Sequence, residues 1–209
     1  MKVSTSILSA KDNLKETIDK LNNTSTDYIH LDIMDGRFVE NTTWTSDELR
    51  GVLINNTKPL DVHLMVRDVK SYVDSFARLN PEYITFHYEA IDDIDEMINY
   101  IKSLGIKVGI SIKPNTKIEE IYRYLPKVDL VLVMSVNPGM GGQEFILGTQ
   151  IKVNGLKEYK LNNNLDYLIS VDGGINSDTI KLIRSADIAV SGSFIIKNNY
   201  EESINTLRG

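Results

Sequence analysis

The chain has 209 residues, enough for one domain with a sizeable core, and its 29 Asp and Glu against 23 Lys and Arg give a net charge of −6. An acidic chain without a Lys/Arg cluster argues against nucleic acid or an anionic membrane as partner, and no apolar run approaches the ~18 residues of a spanning helix. The absence of cysteine removes disulfides, thiol catalysis and thiolate metal sites, and it suits a reducing compartment, so a cytoplasmic protein with no processed end is expected.

Val3 to Leu8 reads as a first strand, followed by a helix face at Leu14, Ile18 and Leu21. A second strand begins at Tyr28 and runs toward Gly36, with a longer loop from Arg37 to Trp44. Thr45-Ser-Asp-Glu48 has the form of a capping box for the next helix. Pro59 precedes a third strand, Leu60 to Met65, and Val69, Tyr72, Val73, Phe76 and Leu79 recur at helical spacing. Pro81 precedes a fourth strand, Tyr83 to His87. Asp92 or Asp93 can cap a helix through Ile94, Met97, Ile98 and Ile101, which Gly105 closes. Lys107 to Ile112 is a fifth strand, with a short helix around Ile118 and Ile121. Pro126 precedes a sixth, Val128 to Met134, then a glycine-rich loop and a less regular helix from about Ile151 to Tyr159. Tyr167 to Val171 is a seventh strand, with Ser177 capping a helix through Ile180 and Ile183. Asp187 to Ser191 is an eighth, and a last helix carries Ile204 and Leu207.

Strict strand–helix alternation with short connections predicts a parallel sheet with right-handed crossovers. Eight units in slightly fewer than the usual ~250 residues favour one closed (β/α)8 TIM barrel over residues 1–209, rather than an open doubly wound sheet. In such a barrel the strand C-termini form the working face, and the residues delivered there are unusual. On the second strand Ile29, Leu31 and Ile33 share one face, and His30, Asp32 and Met34 share the other. The third strand repeats the pattern with Asp61, His63 and Met65, the sixth ends in Met134 and the seventh runs into Asp172. Any one of these side chains alone is most simply barrel filling or a satisfied, half-buried histidine. Their convergence predicts a shared site.

His30, Asp32, His63 and Asp172 offer two imidazoles and two carboxylates, a donor set suited to one divalent ion, Zn²⁺, Fe²⁺ or Mn²⁺, among which spacing does not choose. A buried salt-bridge network such as His30 with Asp172 is the plainer reading of the same residues. Asp32 and Asp172, from different strands, could flank a substrate, one removing a proton α to a carbonyl and the other delivering a proton to the opposite face. Met34, Met65 and Met134 would bring thioethers that neither ionise nor protonate an intermediate. Glycines after the sixth, seventh and eighth strands (Gly139, Gly141 and Gly142 around Met140, Gly173-Gly174, and Gly192 before Ser193) let backbone N–H groups approach an oxyanion, the place where barrels often hold phosphate.

The stretches Ser6-Ile-Leu-Ser-Ala10, His30-Leu-Asp-Ile-Met-Asp-Gly36, Asp61-Val-His-Leu-Met-Val66, Met134-Ser-Val-Asn-Pro-Gly-Met-Gly-Gly-Gln143, Val171-Asp-Gly-Gly-Ile175 and Gly192-Ser193 together resemble ribulose-phosphate 3-epimerase over nearly the whole chain. The resemblance implies a ribulose-phosphate-binding barrel that interconverts D-ribulose 5-phosphate and D-xylulose 5-phosphate in the pentose phosphate pathway, and a homo-oligomer. It implies Asp32 as proton acceptor and Asp172 as donor, His30, Asp32, His63 and Asp172 as metal ligands, Ser6 and His63 in contact with substrate, and the glycine loops with Ser193 at the phosphate end. His87, in Phe86-His-Tyr-Glu-Ala90, matches a family histidine that is not a ligand and is given a supporting role.

The chain departs from the family pattern at Thr5, at Glu40 (where proline is usual) and at Phe194, none of which removes a ligand or an acid–base residue. The Glu40 loop leaves open a longer ketose phosphate such as D-allulose 6-phosphate. A decarboxylase of the orotidine phosphate type would need a lysine beside the strand-end carboxylates, and His30 to Asp35 has none. A non-catalytic sugar-phosphate binder predicts loss of Asp32 or Asp172, and both are present.

Overall fold

The computed structural model describes residues 1–209. Eight strands close in sequence order into a barrel, every neighbouring pair parallel: β1 (Lys2–Ser6), β2 (Tyr28–Met34), β3 (Leu60–Met65), β4 (Tyr83–His87), β5 (Lys107–Ile112), β6 (Leu130–Met134), β7 (Leu168–Asp172) and β8 (Ile188–Ser191). The α-helices are α1 (Leu14–Asn22), α2 (Ser46–Val52), α3 (Val69–Phe76), α4 (Ile94–Ser103), α5 (Thr149–Asn162), α6 (Ser193–Ile196) and α7 (Tyr200–Arg208). No helix is long and apolar enough to cross a membrane.

The alternation read from β2 governs the whole barrel. Ile29, Leu31 and Ile33, with Val62, Leu64, Ile84, Phe86, Val131, Val133, Ile169 and Val171 on other strands, belong to the large apolar layer between strands and helices. The other parity points inward, where Tyr28, Tyr83, Leu130, Leu132, Met134, Ile188 and Val190 make a second, smaller cluster. Register carries this parity around the circle: Ser6 pairs with His30, Asp32 with His63, Met34 with Met65, His87 with Ser111, and Met134 with Asp172. At the N-terminal end the rings of Tyr28 and Tyr83 meet edge to face, 5.8 Å apart, with Lys2 and Lys107 over them. The interior is therefore closed below, with Ser4 and Asp61 level with the two tyrosines and Asp32, His63 and Asp172 further toward the C-terminal end.

Local chemistry explains most element boundaries. Thr45 caps α2 with the full capping box, Asp93 rather than Asp92 caps α4, and Gly105 (φ +76°) ends it in the left-handed region. Three expectations need correction. β1 stops at Ser6 because Ile7 leaves the extended region (φ −89°, ψ 3°), and Leu8–Asn13 form a 3-10 segment. Val128 and Asp129 precede β6: Val128 ends the 3-10 turn Leu125–Lys127, and Asp129 instead accepts the Val108 N–H at 2.8 Å. After β7 the connection is the 3-10 helix Thr179–Ile183, entered through Asn176, whose side chain accepts from the Asp178 and Thr179 N–H groups; Ser177 does not cap it. The short helix expected around Ile118 and Ile121 is present as a 3-10 segment, Ile118–Ile121, followed by a second, Leu125–Lys127. α5 is the longest helix despite its weak pattern, and Gly155 lets it close on that connection: a Cβ there would stand 2.7 Å from Ile118 Cδ1.

Inside the barrel β4 and β5 approach closely at Gly109, where a Cβ would lie 2.1 Å from Thr85 Oγ1 and 2.9 Å from Thr85 Cβ. Gly109→Ala is therefore expected to overpack the interior and cost about 1–3 kcal/mol, measured as a lowered urea midpoint with an unchanged slope.

Candidate active site

The C-terminal ends of β1, β2, β3, β6, β7 and β8 surround one pocket. Its lining includes Ser6, Asp32, Met34, Met65, Met134, Gly139, Met140, Gly141, Gly142, Asp172, Gly173, Gly174, Gly192 and Ser193. His30 and His63 are fully buried and have no surface in the pocket; they stand behind the two aspartates. Every residue singled out from the sequence is thus in one place. Two qualifications follow: His63 shows no wall on which a substrate could rest directly, and Met140, on the outer lip, is 62% exposed.

Asp32 and Asp172 converge on the two buried imidazoles. His30 Nε2 is 3.4 Å from Asp32 Oδ1 and 3.9 Å from Asp172 Oδ2, and His63 Nδ1 is 3.3 Å and 3.8 Å from the same two oxygens. One donor atom from each of the four residues lies within 4.8 Å of all the others. A tetrahedral ion with bonds near 2.1 Å would need donors about 3.4 Å apart, close to these edges. The strongest sign of fit is His30 Nε2, fully buried and without a hydrogen-bond partner. A buried polar atom left in that state is costly, and a cation at the centre of the cluster, taking the place of the His30 proton, would satisfy it.

The supporting role expected of His87 takes the form of a contact with His63, while the parts of Asp61 and Glu89 were not foreseen. His30 Nδ1 lies 2.8 Å from Asp61 Oδ2, the same oxygen that accepts from Ser4 Oγ at 2.9 Å. His63 Nε2 lies 2.9 Å from His87 Nε2, and His87 Nδ1 is 3.2 Å from Glu89 Oε2. Asp61 could have been suspected from its parity with His63, but only the register that sets it beside His30 reveals its use. Glu89 had no signal beyond standing two places after His87. Ser6 Oγ donates to Asp32 Oδ2 at 2.7 Å.

Electrostatics drive the two aspartates apart. Burial alone would raise Asp32, but His30 foremost outweighs it and holds the carboxyl far below the usual range, ionised. Burial and then the Asp32 charge push Asp172 up to about 7. Burial opposes a charge on His30, yet Asp61 and Asp32 prevail and raise it well above its ordinary value. Burial lowers His63, and it pushes His87 down to about 4. For Glu89 burial is overcome by His87, Thr116 and the Lys113 N–H, which take the carboxyl down to about 2. Two carboxylates with opposed protonation in one cleft is the arrangement acid–base chemistry requires.

The loop after β2 closes one side of the mouth. Asp35 accepts from the Arg37, Phe38 and Arg67 N–H groups, Thr43 Oγ1 donates to the Asp32 carbonyl, and Asn41 Nδ2 donates to the Gly139 carbonyl at 2.7 Å. Gly139 (φ +114°) is needed here, since a Cβ would strike Val39 at 2.8 Å. Glu40 is exposed and lines no part of the pocket, so the place where the family has proline lies away from the reacting groups.

A carboxyl raised on folding binds its proton more tightly in the native state, so its contribution to stability is lost as pH rises from its unfolded value of 3.8 through about 7. In metal-free protein, Asp172→Asn should therefore gain stability relative to the unsubstituted chain across that window, read as a widening difference in melting temperature between pH 4 and pH 8.

A sequence model of the Ribulose-phosphate 3 epimerase family matches residues 2–196. The ribulose-phosphate 3-epimerase of Helicobacter pylori (strain J99) is 41% identical over 201 residues, covering 95% of this chain and 92% of that protein. The ribulose-phosphate 3-epimerase of Bacillus subtilis (strain 168) is 36% identical over 214 residues, covering 100% and 99%. Among solved structures, 3-hexulose-6-phosphate synthase from Salmonella typhimurium superposes with a TM-score of 0.67 at 17% identity, covering 99% of this chain and 96% of that one, a likeness of fold alone.

Proposed function

The chain belongs to the ribulose-phosphate 3-epimerase family, and from that premise we propose that it interconverts D-ribulose 5-phosphate and D-xylulose 5-phosphate by proton transfer between two aspartates. The observation that carries this reading is the pair Asp32 and Asp172, brought from β2 and β7 to one floor, one held ionised and the other close to neutrality in its titration.

With the ketose across the pocket, Asp32 takes the C3 proton; His30 keeps it ionised, and the Ser6 hydroxyl that donates to it keeps it aimed. Asp172 delivers a proton to the opposite face of C3, so the configuration inverts; in the reverse direction the two exchange roles. A divalent ion held by His30, Asp32, His63 and Asp172, Zn²⁺ foremost, would supply positive charge to the enediolate oxygens. Met34, Met65 and Met134 are 4% exposed or less; they wall the reacting carbons with groups that neither donate nor accept a proton at this pH and keep water away. The phosphate is placed at the rim, against the backbone of Gly139 to Gly142, Gly173-Gly174 and Gly192-Ser193, with Ser6 nearer the reacting end.

No lysine or arginine lines the pocket, which counts against decarboxylation assisted by a lysine. The pentose is favoured over D-allulose 6-phosphate because the departure at Glu40 leaves the lining untouched.

In D₂O, proton NMR should show D-ribulose 5-phosphate converting to D-xylulose 5-phosphate with deuterium at C3. Turnover of D-allulose 6-phosphate in its place would move the assignment to the hexose, and silence on both sugars would sink the epimerase. Asp172→Asn should keep the fold and lower kcat by about 10²–10⁴-fold; near-normal turnover would remove Asp172 from the reaction. Exhaustive chelation should abolish turnover, with Zn²⁺, Fe²⁺ or Mn²⁺ restoring it.

A further inference from the structure

His87 and Glu89 lie outside the acid–base machinery, yet they form a buried line that ends on a metal-ligating nitrogen. Glu89 Oε1 accepts from the Lys113 N–H at 2.8 Å and from Thr116 Oγ1, leaving Oε2 to face His87 Nδ1 at 3.2 Å. His87 is fully buried, with the Phe38 ring 4.8 Å from its own and Lys113 Nζ 4.0 Å beyond on that ring. Its Nε2 is 2.9 Å from His63 Nε2, while His63 Nδ1 faces Asp32 and Asp172.

Two imidazole nitrogens 2.9 Å apart need one proton between them. If His87 holds it, His63 carries its own proton on Nδ1, donates it to Asp32 and has no lone pair to offer the cluster. If His63 holds it on Nε2, Nδ1 is bare and able to ligate. An ionised Glu89 decides between these states. It can only accept, so the His87 proton sits on Nδ1; neutral His87 then presents a bare Nε2, and His63 must be the donor.

We propose that Glu89, acting through His87, fixes His63 in the tautomer whose Nδ1 is bare, so that the site is ready for its ion before the ion arrives. Both are positioning residues, and the inference rests on the metal-binding reading given above.

Glu89→Gln tests the direction of the line. The Lys113 N–H calls for the amide oxygen at the Oε1 position, which turns the amide NH₂ toward His87 Nδ1 and reverses every donor along the chain. The protein has only three histidines, so two-bond ¹H–¹⁵N correlation on ¹⁵N-histidine-labelled protein can assign each tautomer. In the metal-free, unsubstituted protein His63 should carry its proton on Nε2 and His87 on Nδ1; Glu89→Gln should move them to Nδ1 and Nε2. Zn²⁺ affinity, measured by competition with a chromophoric chelator, should fall about 10- to 100-fold in the variant.

His63 protonated on Nδ1 in the unsubstituted metal-free protein, or Zn²⁺ bound by Glu89→Gln as tightly as before, would overturn the proposal. Should Glu89→Gln not fold, His87→Phe strips the acceptor from His63 Nε2 and should weaken Zn²⁺ to a similar extent; undiminished affinity there would overturn it equally. Neither readout involves a sugar. Correct tautomers in a protein that epimerises neither ketose would leave the relay standing and remove the activity, and an active epimerase with unaltered Zn²⁺ affinity in the variants would do the reverse.

Discussion

Everything at the mouth of this barrel follows from keeping Asp32 charged while it is 4% exposed. An isolated carboxylate out of water would take up a proton, because desolvation penalises the charged form. Here His30 outweighs the cost of burial, and the Ser6 hydroxyl donates to the carboxylate. Asp172 faces the same negative charge without equal compensation and moves the other way. Burial raises Asp172 first and the charge of compensated Asp32 raises it further, so the acid–base pair is a consequence of unequal support for two buried carboxyls.

That support extends outward through side chains which touch no reacting atom. Asp61 and Ser4 fix His30 from below, and His87 and Glu89 fix His63 from the β4 side. Both lines run from a carboxylate through an imidazole into the cluster, so each ring nitrogen facing the centre is set by what its opposite nitrogen does. The barrel makes this economical: parallel register places inward residues of neighbouring strands level with one another, so Asp32 meets His63 and His30 meets Asp61 across a single strand spacing.

Parity made much of this legible in the sequence. The alternation on β2 and β3 separated helix-facing Ile29, Leu31 and Ile33 from inward His30, Asp32 and Met34, and strand C-termini in a barrel share one face, so the convergence of Asp32, His63, Met134 and Asp172 could be anticipated. Contacts that depend on register between strands could not. Asp61 carries the right parity, but its partner on β2 is fixed only when the barrel closes; Glu89 lies beyond the end of β4, where alternation no longer applies. The misplaced boundaries have local causes of the same kind. Ile7 is as apolar as any strand residue and leaves the strand through its backbone angles, and Asn176 supplies the turn that Ser177 offered equally well on composition. α5 is long with few buried residues because a glycine, not an apolar stripe, lets it approach its neighbour.

The same electrostatics explain why no lysine or arginine stands beside the two aspartates in a chain proposed to bind a phosphorylated sugar. Lys11 and Lys197 lie only at the outer mouth, with Gly139 to Gly142 and Ser193. A lysine able to reach the phosphate from the pocket floor would also be within reach of Asp32 and Asp172, would pair with them, and would draw Asp172 back toward an ordinary carboxylate. Backbone N–H dipoles attract a dianion without that consequence, since they carry no net charge and their field falls off within a few ångströms. Glycine at 173 and 174 is what brings the backbone to the rim directly after Asp172: both have positive φ, and a Cβ on Gly174 would lie 2.6 Å from the Phe145 nitrogen. The thioethers of Met34, Met65 and Met134 follow the same logic on the other walls, being polarizable but unable to bind a proton. The pocket can therefore hold a negatively charged substrate while the two aspartates keep the only titrations in its lining.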